Sequence, residues 1–403
     1  MTLFAVLVLS VFMKTLTKSN YRKVNLKKYR FTCAEHSRTV FVVKILTQKG
    51  PLFILPWRCT QACTSSCIHC GFASNSPASD ALGTKETLRI IDEIYDFGAT
   101  YLGISGGETL LRKDLPEIIG YAKSIGLNVS LITNGYYING KIFDTLVKHN
   151  VRVSLSVDGT QEINDAIRGK GAYAKAVSAM EKTSKAGLLD CLVATLANVD
   201  ETRNNVNSEN MEHVIKLAEE YGARWVVIHG FIPFNRTKAH LARAPSSQQY
   251  EKIWNEVYDL RLKYHGKPEV NVYCPFFARI AKERNMPDFN RWYNNFFLGK
   301  CSLAGKYMSV IENGDAIPCS FNDRIRLGNI QKKPLKQIWD ELQTSELTIK
   351  LRDRRNLKGK CGVCEYREIC GGCRTRAEIY TGDLFASDPA CAYVPKLLRE
   401  KTK

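Results

Sequence analysis

Three closely spaced cysteines near the start of the chain read Cys63-Thr-Ser-Ser-Cys67-Ile-His-Cys70. Their thiolates can bind three corners of a 4Fe-4S cube and leave one iron without a protein ligand. An iron that is open in this way can chelate a small molecule through an amine and a carboxylate. A structural zinc site is the alternative, and Cys59 would then supply the fourth ligand that such a site requires. The spacing alone leaves both interpretations open.

A glycine pair and an acid follow further along the chain, in Tyr101-Leu-Gly-Ile-Ser-Gly-Gly-Glu108. A short apolar run that ends in Gly106, Gly107 and Glu108 is typical of a buried strand that stops at a ligand. Glycines there allow the backbone to approach the ligand closely. This pattern, after a cysteine triad, favours the iron-sulfur interpretation.

Two further predicted strands also end in polar residues. Residues 129–132 lead into Asn134-Gly135, and residues 151–157 lead into Asp158-Gly159. Both dipeptides are also common turn sequences, so ordinary turn chemistry stays open as the alternative to a ligand contact.

Helical patterns separate these strands. They cover residues 85–97, 115–125, 173–186 and 211–221, and another strand follows at 224–229. Alternating strands and helices imply parallel strands joined by crossovers, with about six such units between residues 51 and 239. In folds of this class the active site lies at the carboxyl ends of the strands, where the glycine pair and the polar strand ends fall.

A second group of cysteines lies near the end of the chain. It consists of Cys301, Cys319, Cys361, Cys364, Cys370, Cys373 and Cys391. Two cysteine pairs of this kind can form a zinc ribbon, which is the alternative to iron-sulfur clusters here.

Taken together, these motifs resemble those of radical SAM enzymes with a C-terminal SPASM domain, which holds auxiliary iron-sulfur clusters. The string Cys361-Gly-Val-Cys364-Glu-Tyr-Arg-Glu-Ile-Cys370-Gly-Gly-Cys373 resembles the haem-forming and mycofactocin- or PQQ-maturing branches in particular. The resemblance implies an α/β fold, a partial (β/α)6 barrel followed by a small cysteine-rich domain. The expected divisions are a basic N-terminal extension (1–50), the barrel (51–240), a helical bridge (241–300) and the SPASM domain (301–403).

The resemblance also implies roles for individual residues near the first cluster. Cys63, Cys67 and Cys70 would hold the 4Fe-4S cluster that binds S-adenosylmethionine (SAM). The other expected SAM contacts are Gly106, Gly107 and Glu108 at the methionine amine, Ser156 and Asp158 at the ribose, Asn134 nearby and His69 near the adenine. Thr109 stands where the family usually has proline.

The same resemblance divides the late cysteines between two auxiliary clusters. The nearer cluster would be held by Cys301, Cys319 and Cys373, and the farther one by Cys361, Cys364, Cys370 and Cys391. The nearer cluster then lacks one ligand. Either its iron is open or Cys274 reaches it, although a cysteine in the apolar sequence Val-Tyr-Cys-Pro-Phe-Phe is more typical of a core position.

The activity that the resemblance implies is reductive cleavage of SAM to a 5'-deoxyadenosyl radical, which abstracts hydrogen from a substrate. Cofactor or peptide maturation is expected, on a tetrapyrrole side chain or a ribosomal peptide, with electrons from a donor such as ferredoxin or flavodoxin. The alternatives are a radical SAM enzyme that modifies membrane lipids and a non-enzymatic, zinc-binding interaction protein.

Charge adds a weaker indication about the substrate. The 403 residues include 58 Lys and Arg against 40 Asp and Glu, a formal net charge of +18. This balance suits an anionic small molecule or peptide, and no motif of a known nucleic-acid module is present. Arg236, after the last predicted barrel strand, is a candidate for binding a substrate carboxylate or phosphate.

The first residues of the chain are predicted to stand apart from this plan. Residues 1–13 are almost wholly apolar and a basic stretch follows, but a membrane-spanning helix needs roughly 20 apolar residues. The segment is interpreted as a dispensable tail or a small cap, with a peripheral membrane contact as the alternative. Many free thiolates require a reducing compartment, which predicts a cytoplasmic protein, with membrane association as an open alternative.

Overall fold

The computed structural model describes residues 54–72, 81–199, 206–234, 241, 243–266, 268–295, 301–305 and 308–400. The predicted N-terminal extension and Arg236 lie outside these residues.

A parallel sheet forms the centre of the fold, and its strands are arranged in sequence order. The strands are β1 (Ile54–Arg58), β2 (Tyr101–Ser105), β3 (Asn128–Thr133), β4 (Arg152–Ser156), β5 (Leu189–Thr195), β6 (Trp225–His229) and β7 (Glu269–Tyr273). Every neighbouring pair is parallel. The carboxyl ends of all these strands therefore lie at the same edge of the sheet, and the predicted site residues come directly after them in sequence.

Helices connect these strands. They are α1 (Thr84–Asp96), α2 (Leu115–Ser124), α3 (Gly140–Lys148), α4 (Gln161–Arg168), α5 (Ala172–Lys185) and α6 (Met211–Glu220). In α1 the apolar residues recur at helical spacing, so that Ile90, Ile91 and Ile94 are buried on one face. The four helices predicted from periodicity, α1, α2, α5 and α6, begin and end within one residue of the predicted bounds.

The seventh strand corrects the predicted division of the chain. Residues 241–300 were expected to form a helical bridge, but β7 lies within them and pairs with β6. Three helices accompany it, α7 (Ser247–Lys263), α8 (Phe277–Glu283) and α9 (Phe289–Asn295). A capping box of Ser246 and Gln249 starts α7. The strand was missed because it is short and lies between segments whose aromatic residues follow helical spacing.

The C-terminal region, defined here as residues 301–400, contains a small antiparallel sheet and several helices. Its elements are β8 (Ser309–Val310), β9 (Asp315–Ile317), β10 (Gly328–Asn329), α10 (Leu335–Thr344), α11 (Glu346–Arg352), α12 (Gly359–Gly362), α13 (Arg374–Thr381) and α14 (Lys396–Glu400). Val310, Ile338 and Trp339 belong to the same buried cluster as the sheet of the barrel. The two regions therefore share one hydrophobic core.

Two general findings concern membrane spans and cysteines. Among the residues that the structure describes, no helix is both long enough and apolar enough to span a membrane. All the cysteines in the described ranges are free thiols.

Candidate active site

A cavity of about 290 Å³ lies at the carboxyl edge of the parallel sheet. Most of the predicted SAM-site residues line it together, namely Cys63, Cys67, Cys70, His69, Gly106, Gly107, Glu108, Asn134 and Ser156. These residues come from the loop after β1 and from the ends of β2, β3 and β4. Because the strands are parallel, motifs that are far apart in sequence lie together in one site.

The three cysteines of the triad are close enough to influence one another. The pKa of Cys67 is raised to about 11, chiefly by burial; Arg168 opposes the shift, and the thiols of Cys70 and Cys63 contribute to it. Cys59 does not line this cavity, because it is fully buried beside β2 and donates its backbone N–H to Ser105. Three converging thiols next to open space fit a 4Fe-4S cluster with one iron left open.

No three His, Cys, Asp or Glu side chains in the described part of the chain are arranged to hold a single metal ion.

The glycine pair allows the cysteine loop to lie directly on the end of β2. A Cβ atom on Gly107 would fall 2.5 Å from the carbonyl oxygens of Gln61 and Ala62, and one on Gly106 would fall 2.9 Å from that of Thr60. Instead, the Gly107 N–H donates to the Thr60 carbonyl at 2.7 Å. The close approach that the sequence indicated is therefore partly an approach to the protein's own cysteine loop.

Glu108 is 1% exposed and braces two strand ends. Its carboxylate accepts hydrogen bonds from Thr133 Oγ1 at 2.6 Å, Asn134 N at 2.9 Å and Leu110 N at 3.0 Å. Burial raises the pKa of this carboxyl group, while these hydrogen bonds act in the opposite direction. A carboxylate can accept about four hydrogen bonds, so Glu108 retains capacity for one more donor in the cavity.

Asp158 has a different position from the one expected. It is fully buried and does not line the cavity. Its carboxylate lies 2.7 Å from His69 Nε2 and 2.6 Å from Arg168 Nε, and it accepts the Thr195 N–H at 2.8 Å. Burial opposes ionisation of Asp158, but Arg168 and His69 overcome it and hold its pKa below the usual range. The strand-end carboxylate therefore anchors residues that line the cavity, rather than facing a ribose itself.

An aromatic wall, defined as His229, Tyr273, Phe321, Phe234 and Phe72, forms another side of the cavity. The rings of His229 and Tyr273 are stacked with centroids 4.9 Å apart, and Phe321 meets His229 edge-on at 5.8 Å. Phe234 contacts both Phe321 and Phe72 edge-on. Phe321 belongs to the C-terminal region, so that region contributes directly to the cavity.

His229 in this wall is uncharged at neutral pH. Burial lowers its pKa from 6.5 to about 4. Within the described ranges, its Nδ1 is buried and has no hydrogen-bond partner. Buried polar atoms usually find a partner, so among the described residues Nδ1 is an unsatisfied polar atom within the wall.

Sequence reasoning missed Arg168 and the whole aromatic wall. His229 and Tyr273 end β6 and β7, so the rule that singled out polar residues at the ends of β3 and β4 could also have identified them. Arg168 ends a helix and carries no comparable signal.

The late cysteines fall into two groups. Cys361, Cys364, Cys370 and Cys391 surround a small second cavity. Cys301 and Cys319 share a separate buried cluster. Burial raises the pKa of Cys373, and Cys301 lies close enough for its thiol to contribute to the shift. The contact of Thr375 Oγ1 with Cys319 Sγ, at 3.7 Å, joins α13 to this group. The assignment of these cysteines to two auxiliary clusters stays a prediction.

Cys274 lines neither cysteine cavity and is fully buried in the main core. Its sulfur lies 3.7 Å from Arg376 Nη2. Burial raises its pKa to about 11, while Arg376 opposes the shift. Its ligation of an auxiliary cluster stays a prediction.

Comparison with family models assigns two parts of the chain. Residues 57–208 match the radical SAM superfamily, and residues 301–373 match SPASM, an iron-sulfur cluster-binding domain.

Curated relatives and solved structures agree with this assignment. An AdoMet-dependent heme synthase from Methanosarcina barkeri is 33% identical over 85% of this chain and 97% of its own length. The mycofactocin maturase MftC from Mycobacterium ulcerans is 29% identical over 86% of this chain and 90% of its own. SuiB from Streptococcus suis bound to its precursor peptide SuiA has a TM-score of 0.66 at 17% identity, covering 96% of this chain and 89% of SuiB. Native anSMEcpe with bound AdoMet has a TM-score of 0.64 at 18% identity, covering 83% and 93%.

Proposed function

Because the chain belongs to the radical SAM superfamily and carries its SPASM iron-sulfur domain, we propose that this enzyme converts a carboxylate-bearing side chain of an iron tetrapyrrole. The activity common to the superfamily is reductive cleavage of SAM and abstraction of hydrogen from a substrate. The proposal concerns the substrate and the residues that serve the reaction.

The first cysteine loop and the strand ends would hold the SAM-binding group. Cys63, Cys67 and Cys70 are the proposed cluster ligands, and Asn134 and Ser156 offer polar contacts for SAM in the same cavity. Bound there, the cluster and SAM supply one-electron cleavage of the sulfonium and hydrogen abstraction. Asp158 keeps His69 and Arg168 in place beside them.

The aromatic wall is the observation that carries the substrate assignment. A surface of stacked and edge-on rings suits a flat apolar group, and the net charge of +18 suits its carboxylates. A cavity of about 290 Å³ that must also receive SAM does not have room for a whole macrocycle. We therefore propose that the macrocycle presents one side chain at a time. The end-to-end similarity to an AdoMet-dependent heme synthase supports the choice of a tetrapyrrole substrate.

The proposed reaction turns a carboxyethyl group into a vinyl group, and two such conversions separate iron coproporphyrin III from haem. The side chain –CH2–CH2–COO⁻ loses one hydrogen atom, one electron and CO2 and becomes –CH=CH2. The hydrogen atom passes to the 5'-deoxyadenosyl group derived from SAM. The electron leaves to a one-electron acceptor of the iron-sulfur class. Neutral His229 keeps a polar atom beside this apolar chemistry without adding a charge.

The test is anaerobic incubation of the reconstituted protein with SAM, a low-potential reductant and iron coproporphyrin III. We expect 5'-deoxyadenosine, CO2 and vinyl-bearing products, detected by mass spectrometry. A protein that cleaves SAM but leaves the tetrapyrrole unchanged would contradict the proposal. Zinc in place of iron and sulfide in anaerobically purified protein would instead favour the interaction-protein alternative.

Peptide maturation is the second candidate, and the mycofactocin maturase relatives favour it because the match spans 90% of one such enzyme. The same assay with a ribosomal precursor peptide distinguishes the two. Substrate-dependent 5'-deoxyadenosine with the peptide alone would select this candidate.

The electron donor and the compartment are also proposals. A small acidic donor such as ferredoxin or flavodoxin suits the basic chain. The free thiols suit a reducing cytoplasm. A peripheral membrane contact through residues 1–50 stays a prediction.

A further inference from the structure

A buried carboxylate from the C-terminal region contacts the cysteine loop of the barrel. Glu312, in the turn between β8 and β9, is 4% exposed. Its Oε2 lies 2.5 Å from Arg58 Nε, and its Oε1 accepts hydrogen bonds from Arg58 Nη2 at 3.3 Å and from Gln61 Nε2. Arg58 and Gln61 immediately precede the cysteine triad in sequence.

The loop has a second support on its other side, made by backbone groups of the barrel. The Cys59 N–H donates to the Ser105 carbonyl at 2.7 Å, and the Glu108 N–H donates to the Ala62 carbonyl at 2.7 Å. The loop is thus held between the end of β2 and Glu312. The backbone carbonyl of Glu312 also accepts the Leu82 N–H at 2.9 Å, which ties the same turn to the start of α1.

Arg58 extends the influence of Glu312 to the far end of the loop. Its guanidinium lies 5.2 Å from the centre of the Phe72 ring, just beyond Cys70. Phe72 in turn packs on Phe234 of the aromatic wall. The cation paired with Glu312 therefore precedes the cysteine triad in sequence and contacts a residue that follows it.

The energetics make this contact sensitive to the loss of either partner. The side chains of Arg58 and Glu312 are 6% and 5% exposed. Removing one member of a buried ion pair is strongly destabilising, because the other charge stays buried without compensation. Arg58 would then have to move towards water and would take the cysteine loop with it.

We propose that Glu312 is a positioning residue through which the C-terminal region holds the cysteine loop in its cluster-binding position. The SAM site is then incomplete in the barrel alone. The proposal rests on Cys63, Cys67 and Cys70 as cluster ligands and not on the identity of the substrate, so it can fail or hold independently of the tetrapyrrole assignment.

The test compares hydrogen exchange and electron paramagnetic resonance spectra of the reconstituted holoenzyme and its variants. In Glu312→Ala, peptides covering residues 58–72 should exchange at least about tenfold faster than in the wild type, because breaking a buried pair weakens local structure. The SAM-induced change in the electron paramagnetic resonance spectrum of the first cluster should be lost. The auxiliary-cluster signals and the protection of β4 and β5 should be retained.

Two further variants separate positioning from general destabilisation. Glu312→Gln keeps hydrogen-bond acceptance and should give an intermediate result. Asp288→Ala is the matched control, because it breaks a pair with Arg261, whose side chain is 7% exposed, outside the cysteine loop. Unchanged protection of residues 58–72 from hydrogen exchange in Glu312→Ala would overturn the proposal. An equal loss of that protection in Asp288→Ala would also overturn it. If Glu312→Ala does not fold, Glu312→Gln decides by the same two readouts.

Discussion

Individual residues of the site act mainly by controlling how closely two segments of the chain approach each other. Gly106 and Gly107 were expected to admit a ligand, and the structure shows them also admitting the backbone of residues 60–62. The sequence could predict that glycine is needed at these positions. It could not identify the neighbouring backbone, since that depends on how the loop after β1 folds over β2.

Replacement of Gly107 by alanine should displace the cysteine loop. The new Cβ would fall 2.5 Å from two backbone carbonyl oxygens, which cannot rotate away as a side chain can. We expect Gly107→Ala to lower the iron content of the first cluster and to cost at least about 1–3 kcal/mol in the free energy of unfolding.

Gly120→Ala is the matched control for this substitution. Gly120 lies within α2, and its new Cβ would meet only His149, at 3.7 Å. Because alanine favours helix over glycine, this variant should be neutral or stabilised by up to about 1 kcal/mol, with full iron content. Equal iron in the two variants would contradict the close-approach argument.

His229 offers a prediction about substrate contact. His229→Phe keeps a ring against Tyr273 but removes Nδ1, so kcat/KM for iron coproporphyrin III should fall about tenfold while SAM binding is unchanged. His229→Asn should recover part of the loss, because its amide can occupy the place of Nδ1. His213→Phe, at a histidine hydrogen-bonded to Tyr173, is the control and should leave kcat/KM unaltered.

The pH dependence of His229 follows from its lowered pKa. A ring with a pKa of about 4 is neutral throughout roughly pH 6 to 8, so protonation of His229 contributes no inflection in that interval. The kcat/KM profiles of the wild type and of His229→Phe should therefore be parallel there. An inflection near pH 6.5 in the wild type alone would show that the residue titrates normally.

At the scale of the elements, some residues at the strand ends line the cavity, and others hold the lining residues in place. Ser156, the last residue of β4, lines the cavity, whereas Asp158, two residues further on, lies beneath it. Periodicity could predict where β4 ends. It could not predict that Asp158 would meet Arg168 from α4 and Thr195 from β5, because those contacts depend on helix packing.

Asp158→Ala should therefore destabilise the fold as well as the site. It would leave the Arg168 guanidinium, 12% exposed, without its carboxylate, at a cost of about 3–5 kcal/mol in the free energy of unfolding. The control is Asp190→Ala, since Asp190 pairs with an Arg224 side chain that is 59% exposed and its loss should cost less than about 1 kcal/mol. Denaturant unfolding measures the free energy of unfolding of both variants. Similar losses in Asp158→Ala and Asp190→Ala would show that Asp158 is not a buried anchor.

Across the whole molecule, the three cysteine groups were predictable as groups, because each is local in sequence or matches a family pattern. The seventh strand and the aromatic wall were not, since both require the segment after residue 240 to return to the sheet. Glu312 was beyond sequence reasoning altogether, because nothing in Val-Ile-Glu-Asn-Gly indicates a partner in the cysteine loop.

Separate cysteine groups imply separable cofactors. A combined Cys63→Ala, Cys67→Ala and Cys70→Ala variant should lose the iron of one cluster, about four atoms per chain, and all 5'-deoxyadenosine production. Its auxiliary-cluster spectra should persist, because the late cysteines occupy other sites. Iron analysis and chromatography of the reaction products test this. Persistent 5'-deoxyadenosine would refute the assignment of the triad.

The ion pair between Arg58 and Glu312 also has a consequence for synthesis on the ribosome. Its members are 254 positions apart, so the cysteine loop emerges long before the carboxylate that holds it. At roughly 5–20 residues per second, the nascent loop waits tens of seconds without that support. Stable binding of iron and sulfide by this loop is therefore expected only after residue 312 has been synthesised.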